Sequence, residues 1–194
     1  GRGGVQASFA DPDWDRGRPA EPVTAPTWLA DGSAVVHDTH DAWQIEPDGT
    51  ARRLTEGRSA GLRHRLVTTG SSAPDPGKAL YFALLDDATF RTGFAIKEPS
   101  SEVKPLLLDD VLVTELRQVP QADRMVFRMQ AFDKPSDVYV TNGKFEQAKP
   151  MTRLNPQQKE FAWGSSQLVR YRAPWGPTLH GVLMRPAKKL PGKV

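Results

Sequence analysis

The stretch Ser33–Gly57, "SAVVHDTHDAWQIEPDGTARRLTEG", contains three short strand patterns separated by turns. An apolar run is followed by a polar turn, a strand carrying Trp43, a Pro-Asp-Gly turn and a third strand. The same order of patterns starts again at Lys78 and at Asp123, so successive units begin 45 residues apart. This recurrence predicts a repeated all-β architecture.

One further strand is predicted before each unit, and these strands span Pro26–Leu29, Arg65–Thr69 and Val111–Val119. Four strands in about 40–50 residues is the pattern of a β-propeller blade. A blade has to stack on its neighbours because it cannot bury both of its faces alone. The sequence therefore predicts an all-β, partial β-propeller of about three four-stranded blades, with a β-sandwich of accidental periodicity as the alternative.

Each unit carries one aromatic residue on its second strand, namely Trp43, Phe94 or Tyr139. An aromatic side chain can fill the wedge between neighbouring blades, and its burial stabilises the packing. We expect these three residues to occupy equivalent buried sites.

Composition limits the class of protein. The 194 residues include 17 Pro, 16 Gly and no Cys, so long helices are disfavoured and the chain holds no disulfide or thiolate metal site. No apolar run reaches the roughly 20 residues that a membrane-spanning helix needs. The start, Gly-Arg-Gly-Gly-Val, has neither Met nor the apolar core of a secretion signal, and we interpret it as a cut end. The compartment is left open.

Charge is distributed unevenly along the chain. Residues 1–158 contain 19 basic and 22 acidic side chains, whereas residues 159–194 contain 7 basic and one acidic. A basic segment can bind nucleic acid or an anionic membrane. Here the basic residues follow a strand pattern, which favours a solvated strand face followed by a linker, and they lack the interleaved aromatic platforms that base stacking would use. We expect neither partner.

The last part of the chain has the pattern of a hairpin. Strands are predicted at Leu168–Arg172 and Thr178–Met184, with turn residues Ala173–Pro177 between them. An isolated hairpin is marginal in water, so this one needs a sheet to pair with. The predicted division is residues 1–23 as a loop or the remnant of a preceding blade, 24–158 as blades, and 159–194 as a linker and hairpin.

Candidate catalytic groups are sparse. The nucleophile elbow G-x-S-x-G is absent from the chain, although Ser33, Ser71 and Ser165 each follow a glycine. His37, Asp38, His40 and Asp41 have the residue types of a metal cluster. Because residues three apart on a strand point to opposite faces, a polar inter-strand turn is the preferred interpretation of this segment.

The remaining polar candidates also favour structural roles. The acid pairs Asp86-Asp87 and Asp109-Asp110 consist of adjacent residues, which diverge, whereas glycosidase carboxylates face each other across a cleft. His64 and His180 have no local partners, and the five tryptophans (Trp14, Trp28, Trp43, Trp163 and Trp175) are interpreted as packing residues. We therefore predict no catalytic, cofactor-binding or metal-binding residue in this chain.

The stretch Asn155–Pro186, "NPQQKEFAWGSSQLVRYRAPWGPTLHGVLMRP", resembles the propeller-to-catalytic-domain junction of the prolyl oligopeptidase family of serine peptidases. The matching residues are Leu168–Tyr171, Gly176, Leu179–Leu183 and Pro186, and Pro191-Gly192-Lys193 follows them. Asp41–Gly57 is similar to the blade signature of that family. Trp175-Gly176 departs from it, since Asp-Gly is usual at this turn.

The resemblance implies that this chain is the non-catalytic propeller portion of a serine peptidase, followed by the first hairpin of a truncated α/β-hydrolase domain. The oxyanion segment and catalytic triad of the family would lie beyond Val194, so this chain alone is expected to be inactive. The propeller would gate the access of peptide substrates to the catalytic domain. The alternative is a non-catalytic, propeller-type binding module whose hairpin adds to a partner's sheet edge. Unpaired strand edges also predict self-association.

Overall fold

The computed structural model describes residues 24–176 and 178–187. The segment 1–23, predicted as a loop or blade remnant, lies outside the described residues. So do Pro177 and residues 188–194.

The strands of the described part form three four-stranded antiparallel sheets and one two-stranded hairpin. Blade 1 contains β1 (Thr27–Trp28), β2 (Ala34–His37), β3 (Ala42–Ile45) and β4 (Ala51–Arg53). Blade 2 contains β5 (Leu62–Val67), β6 (Leu80–Asp86), β7 (Thr92–Lys97) and β8 (Lys104–Asp109). Blade 3 contains β9 (Leu112–Gln118), β10 (Met125–Ala131), β11 (Lys134–Thr141) and β12 (Lys149–Pro150). The hairpin contains β13 (Ser165–Arg172) and β14 (Thr178–Arg185).

Within each blade the strands pair in chain order. The strands β2, β6 and β10 begin one or two residues after the predicted unit starts at Ser33, Lys78 and Asp123. The prediction of an all-β, partial propeller with three four-stranded blades is confirmed. Short 3-10 turns at Arg58–Ala60 and Pro156–Glu160 are the helical elements of the described residues.

The core lies between the blades, as stacking requires. One buried cluster joins blades 1 and 2, and a second joins blades 2 and 3. Strand β7 contributes to both, because Phe94 belongs to the second cluster and its neighbour Ala95 to the first. Successive side chains of a strand point to opposite faces, so one central blade can serve both interfaces. The buried members are Leu29, Val35, Ala42, Leu54, Leu80, Phe82, Leu84 and Ala95 in the first cluster, and Phe94, Val113, Leu116, Met125 and Phe127 in the second.

The prediction that Trp43, Phe94 and Tyr139 occupy equivalent buried sites is wrong. Phe94 is 1% exposed, and Tyr139 packs against the same cluster from blade 3, stacked on Phe127 at 5.7 Å. Phe94 and Tyr139 therefore face each other across one interface. Trp43 neighbours Ala42, which faces blade 2, so its ring lies on the other face of blade 1 and contacts Arg53.

The cause is the register of the strands. Phe94 pairs with Ala83, which is five residues after the start of its unit at Lys78. Tyr139 pairs with Phe127, which is four residues after the start of its unit at Asp123. A shift of one residue turns a side chain to the opposite face of the sheet. A 45-residue period therefore conserves the order of the strands without conserving which face an aromatic occupies.

The predicted hairpin is present and somewhat longer than expected. Its pairing runs without interruption from Ser165 opposite Arg185 to Arg172 opposite Thr178. In the turn, the Gly176 N–H donates to the carbonyl of Ala173 at 2.9 Å. Gly176 has a φ of +117°, a conformation that favours glycine.

Candidate functional site: the rim that carries the hairpin

The hairpin approaches one end of the blades. That end is formed by the connections 38–41, 54–61, 87–91, 110–111 and 132–133, and we call it the hairpin-side rim. In a sheet whose neighbouring strands are antiparallel, every second connection returns to the same end. The turn between β6 and β7 makes the ring contact with the hairpin, where Phe90 and His180 lie 5.3 Å apart.

A groove runs between this rim and the hairpin. One section, of about 680 Å³, has Phe90, Arg91 and Asp110 on the rim side and Leu168 and Val182 on the hairpin side. A second section, of about 650 Å³, continues along the rim to Phe132. Both volumes fall within the range of about 300–1,000 Å³ that ligand pockets occupy.

The chemistry of the groove is that of a binding surface. The face of the hairpin that lines it carries the cross-strand pairs Leu168–Val182 and Arg170–His180. Phe90 is 48% exposed and has a φ of +58°, uncommon for a large residue. Apolar contact area with a few charged side chains can hold a peptide or another protein element.

The carboxylates of the segment His37–Asp41 stabilise the turn between β2 and β3. One oxygen of Asp38 accepts the N–H groups of His40 (2.8 Å) and Asp41 (2.6 Å), and the other accepts Nε1–H of Trp43 (2.9 Å). Asp41 Oδ1 accepts the Thr55 hydroxyl at 2.9 Å and the Gly57 N–H at 2.5 Å. These carboxylates therefore fix local backbone.

The two histidines of the same segment diverge. His37 points into the interface with blade 2, where its Nε2 lies 3.0 Å from the Leu66 amide nitrogen. His40 Nε2 lies 2.9 Å from Asp87 Oδ2, and the other oxygen of Asp87 accepts from Arg63 Nε at 2.5 Å. Within residues 24–176 and 178–187 no group of three or more acidic or histidine side chains is placed to hold a metal ion.

The adjacent acids Asp86 and Asp87 have different partners. Asp86 accepts the N–H groups of Ala88 (2.8 Å) and Thr89 (3.0 Å) and so caps its own turn. Asp87 instead connects blade 2 to His40 of blade 1, a role that sequence reasoning missed. No local pattern reveals it, because the partners are 47 residues apart in the chain.

The interpretation of the tryptophans as packing residues fails for three of them. Trp28, Trp163 and Trp175 are 67%, 46% and 76% exposed. Trp43 is half-buried, and Trp14 lies outside the described residues. Residue type alone did not reveal this exposure, because each ring lies on an edge strand, linker or turn that none of the described blades covers.

The comparison with solved structures fits this geometry. A similar fold occurs in a Porphyromonas gingivalis dipeptidyl peptidase 4, with a TM-score of 0.65 and 12% sequence identity; the match covers 84% of this chain and 23% of that one. A prolyl endopeptidase is similar with a TM-score of 0.60 and 12% identity, and that match covers 84% of this chain and 24% of the other. The AtxE2 isopeptidase is also similar (0.57, 12%), with 87% and 25% covered. The described residues therefore share a partial β-propeller fold with these solved structures.

The similarity is one of structure. No protein-family model and no curated protein sequence matches this chain. The chain spans about a quarter of the length of the peptidases that share its fold. No helix among the described residues is long and apolar enough to cross a membrane.

Proposed function

We propose that this chain is the propeller portion of a serine peptidase of the prolyl oligopeptidase type, and that its blades gate the access of peptides to a catalytic domain encoded downstream. The observation that carries the proposal is the hairpin directly after blade 3, docked on one rim. In the family that the sequence resembles, such a hairpin is the first element of the hydrolase domain. The similar solved structures include peptidases.

The hairpin-side rim is the surface that would face the catalytic domain. The chain leaves blade 3 after β12, makes the turn at Pro156–Glu160 and enters β13 at this end of the blades. Any sheet that continues from β14 would start beside the groove. A substrate bound there would be enclosed between the rim and that domain, which would exclude bulky folded proteins.

The test is hydrolysis by the protein that continues past Val194. One cleavable sequence should be offered twice, in a short free peptide and in an exposed loop of a folded protein. We expect the free peptide to be cut and the folded protein to be spared. Equal cleavage of both would contradict gating, and cleavage of neither would contradict a peptidase.

The alternative is a non-catalytic binding module. In its favour, β13 and β14 pair only with each other among the described strands, which leaves an open edge on each side. An open edge can add a strand from a partner. This alternative would be favoured if the protein that continues past Val194 cleaved no peptide while the chain of residues 1–194 bound peptides.

A further inference from the structure

Three of the four histidines of the chain lie at the interface between blades 1 and 2. His37 is on β2, His40 is in the turn after it, and His64 is on β5. Each makes or accepts a contact across the interface. The His37 ring reaches the Leu66 amide, and the His40 ring reaches Asp87. The backbone N–H of His64 donates to the backbone carbonyl of His40 at 2.7 Å.

The geometry around His37 requires a neutral ring. Nε2 has to accept from the Leu66 N–H at 3.0 Å, so the single ring proton is on Nδ1 and donates to the Thr24 hydroxyl at 2.8 Å. A second proton on Nε2 would place two donors, the ring N–H and the Leu66 N–H, opposite each other with no acceptor between them. The residue is 3% exposed, so water cannot readily take the place of the lost acceptor.

The surroundings also disfavour the charged form of His37. Burial lowers its pKa to about 4, and the nearby Arg65 guanidinium acts in the same direction, whereas Asp38 opposes it. Asp38 gives limited compensation, since its oxygens already accept from two backbone N–H groups and Trp43.

His64 adds to the effect. It is 3% exposed, and its Nδ1 has no hydrogen-bond partner in the described part of the chain. Burial lowers its pKa and Arg65 lowers it further, whereas Asp41 acts in the opposite direction. Gly57 leaves just enough space for the ring, because a Cβ built there would lie 2.5 Å from Nδ1.

We propose that the interface between blades 1 and 2 is an acid-sensitive joint, closed by neutral His37 and loosened when that ring takes a second proton. The interface between blades 2 and 3 has no such element among the described residues. There the Gln118 N–H donates to the Thr69 carbonyl at 2.9 Å, a backbone bond that does not titrate. Acid should therefore separate the first blade selectively. The proposal does not depend on peptidase activity.

The direction of the pH effect follows from the two states of His37. In the open state a histidine titrates near its ordinary pKa of about 6.5. Because the pKa in the closed state is lower, the stabilisation is complete above pH 6.5 and is lost progressively as the pH falls toward 4. At pH 4.5 the opening constant should exceed its neutral-pH value by about 50- to 100-fold.

Hydrogen exchange at single amides tests the joint. The intact chain should be measured from pH 7.5 to 4.5, with the Leu66 amide reporting on the interface and the Gln118 amide serving as the internal reference. We expect the opening constant of Leu66, corrected for the intrinsic exchange rate, to rise relative to that of Gln118. Parallel behaviour of the two amides would overturn the proposal.

Two variants sharpen the test. In His37→Gln, the side-chain oxygen can accept from Leu66 without titrating, so the extra pH dependence should fall to the part that His64 contributes. His180→Gln is the matched control, because His180 is exposed on the hairpin, and it should leave the pH dependence unchanged. An NMR titration of the wild-type His37 ring needs no variant. A midpoint near 6.5 would overturn the proposal, and one well below 6 would support it.

Discussion

Gly57 lies where the chain passes from blade 1 to blade 2, and the space around it admits no side chain. Its N–H donates to Asp41, and a Cβ built on it would lie 2.0 Å from the backbone oxygen of Leu62. Backbone this close cannot shift without breaking the Leu62 N–H bond to the Gly57 carbonyl. The connection between blades 1 and 2 therefore requires glycine at position 57.

The substitution Gly57→Ala should lower the free energy of unfolding by about 1–3 kcal/mol, as overpacking of a filled site typically does. Gly70→Ala is the matched control, because nothing lies within 4 Å of a Cβ at that exposed position. Chemical denaturation of the three proteins checks this. Equal stability of the Gly57 and Gly70 variants would contradict the packing described here.

Phe94 and Trp43 should differ in their contribution to stability. Truncation of a fully buried aromatic to alanine costs about 3–5 kcal/mol, and Phe94 is 1% exposed between two blades. Trp43 is half-buried on the other side of blade 1, so Trp43→Ala should cost clearly less. A larger shift of the denaturation midpoint for Trp43→Ala than for Phe94→Ala would contradict the assigned faces.

At the scale of elements, the sequence predicts what local chemistry determines. Turn residues and period-2 patterns placed the blade strands and the hairpin close to their observed positions. The contacts that join blades were not predictable, because they pair residues far apart in the chain, as His40 and Asp87 do. The face of each aromatic was also missed, since one residue of register decides it.

The hairpin packs on its own rim through Phe90 and His180, yet much of its apolar surface stays exposed. Tyr171, Val182 and Met184 are 54%, 61% and 66% exposed. Free strand edges and exposed apolar surface promote association between chains.

We therefore expect the chain to self-associate as its concentration rises, and deletion of residues 165–194 to reduce that association. Light scattering over a concentration series measures it. The basic excess after residue 158 should make the association weaken modestly with added salt. A full-length chain that stays monomeric at high concentration would contradict this prediction.

For the whole molecule, three stacked blades and a hairpin account for the described residues. The chain spans about a quarter of the length of the peptidases that share its fold. The sequence predicted this architecture from the repeat, and the structure added the groove at the hairpin-side rim. Under the proposed function, the catalytic groups lie downstream of Val194.

Labelling with a serine-directed fluorophosphonate tests that dependence most directly. The protein encoded by the complete gene and the chain of residues 1–194 should be treated in parallel, and the labelled residue located by mass spectrometry. We expect one stoichiometrically labelled serine, downstream of Val194 and within a G-x-S-x-G sequence, and no such labelling of the shorter chain. A complete protein without a labelled serine, or a stoichiometric label within residues 1–194, would contradict it.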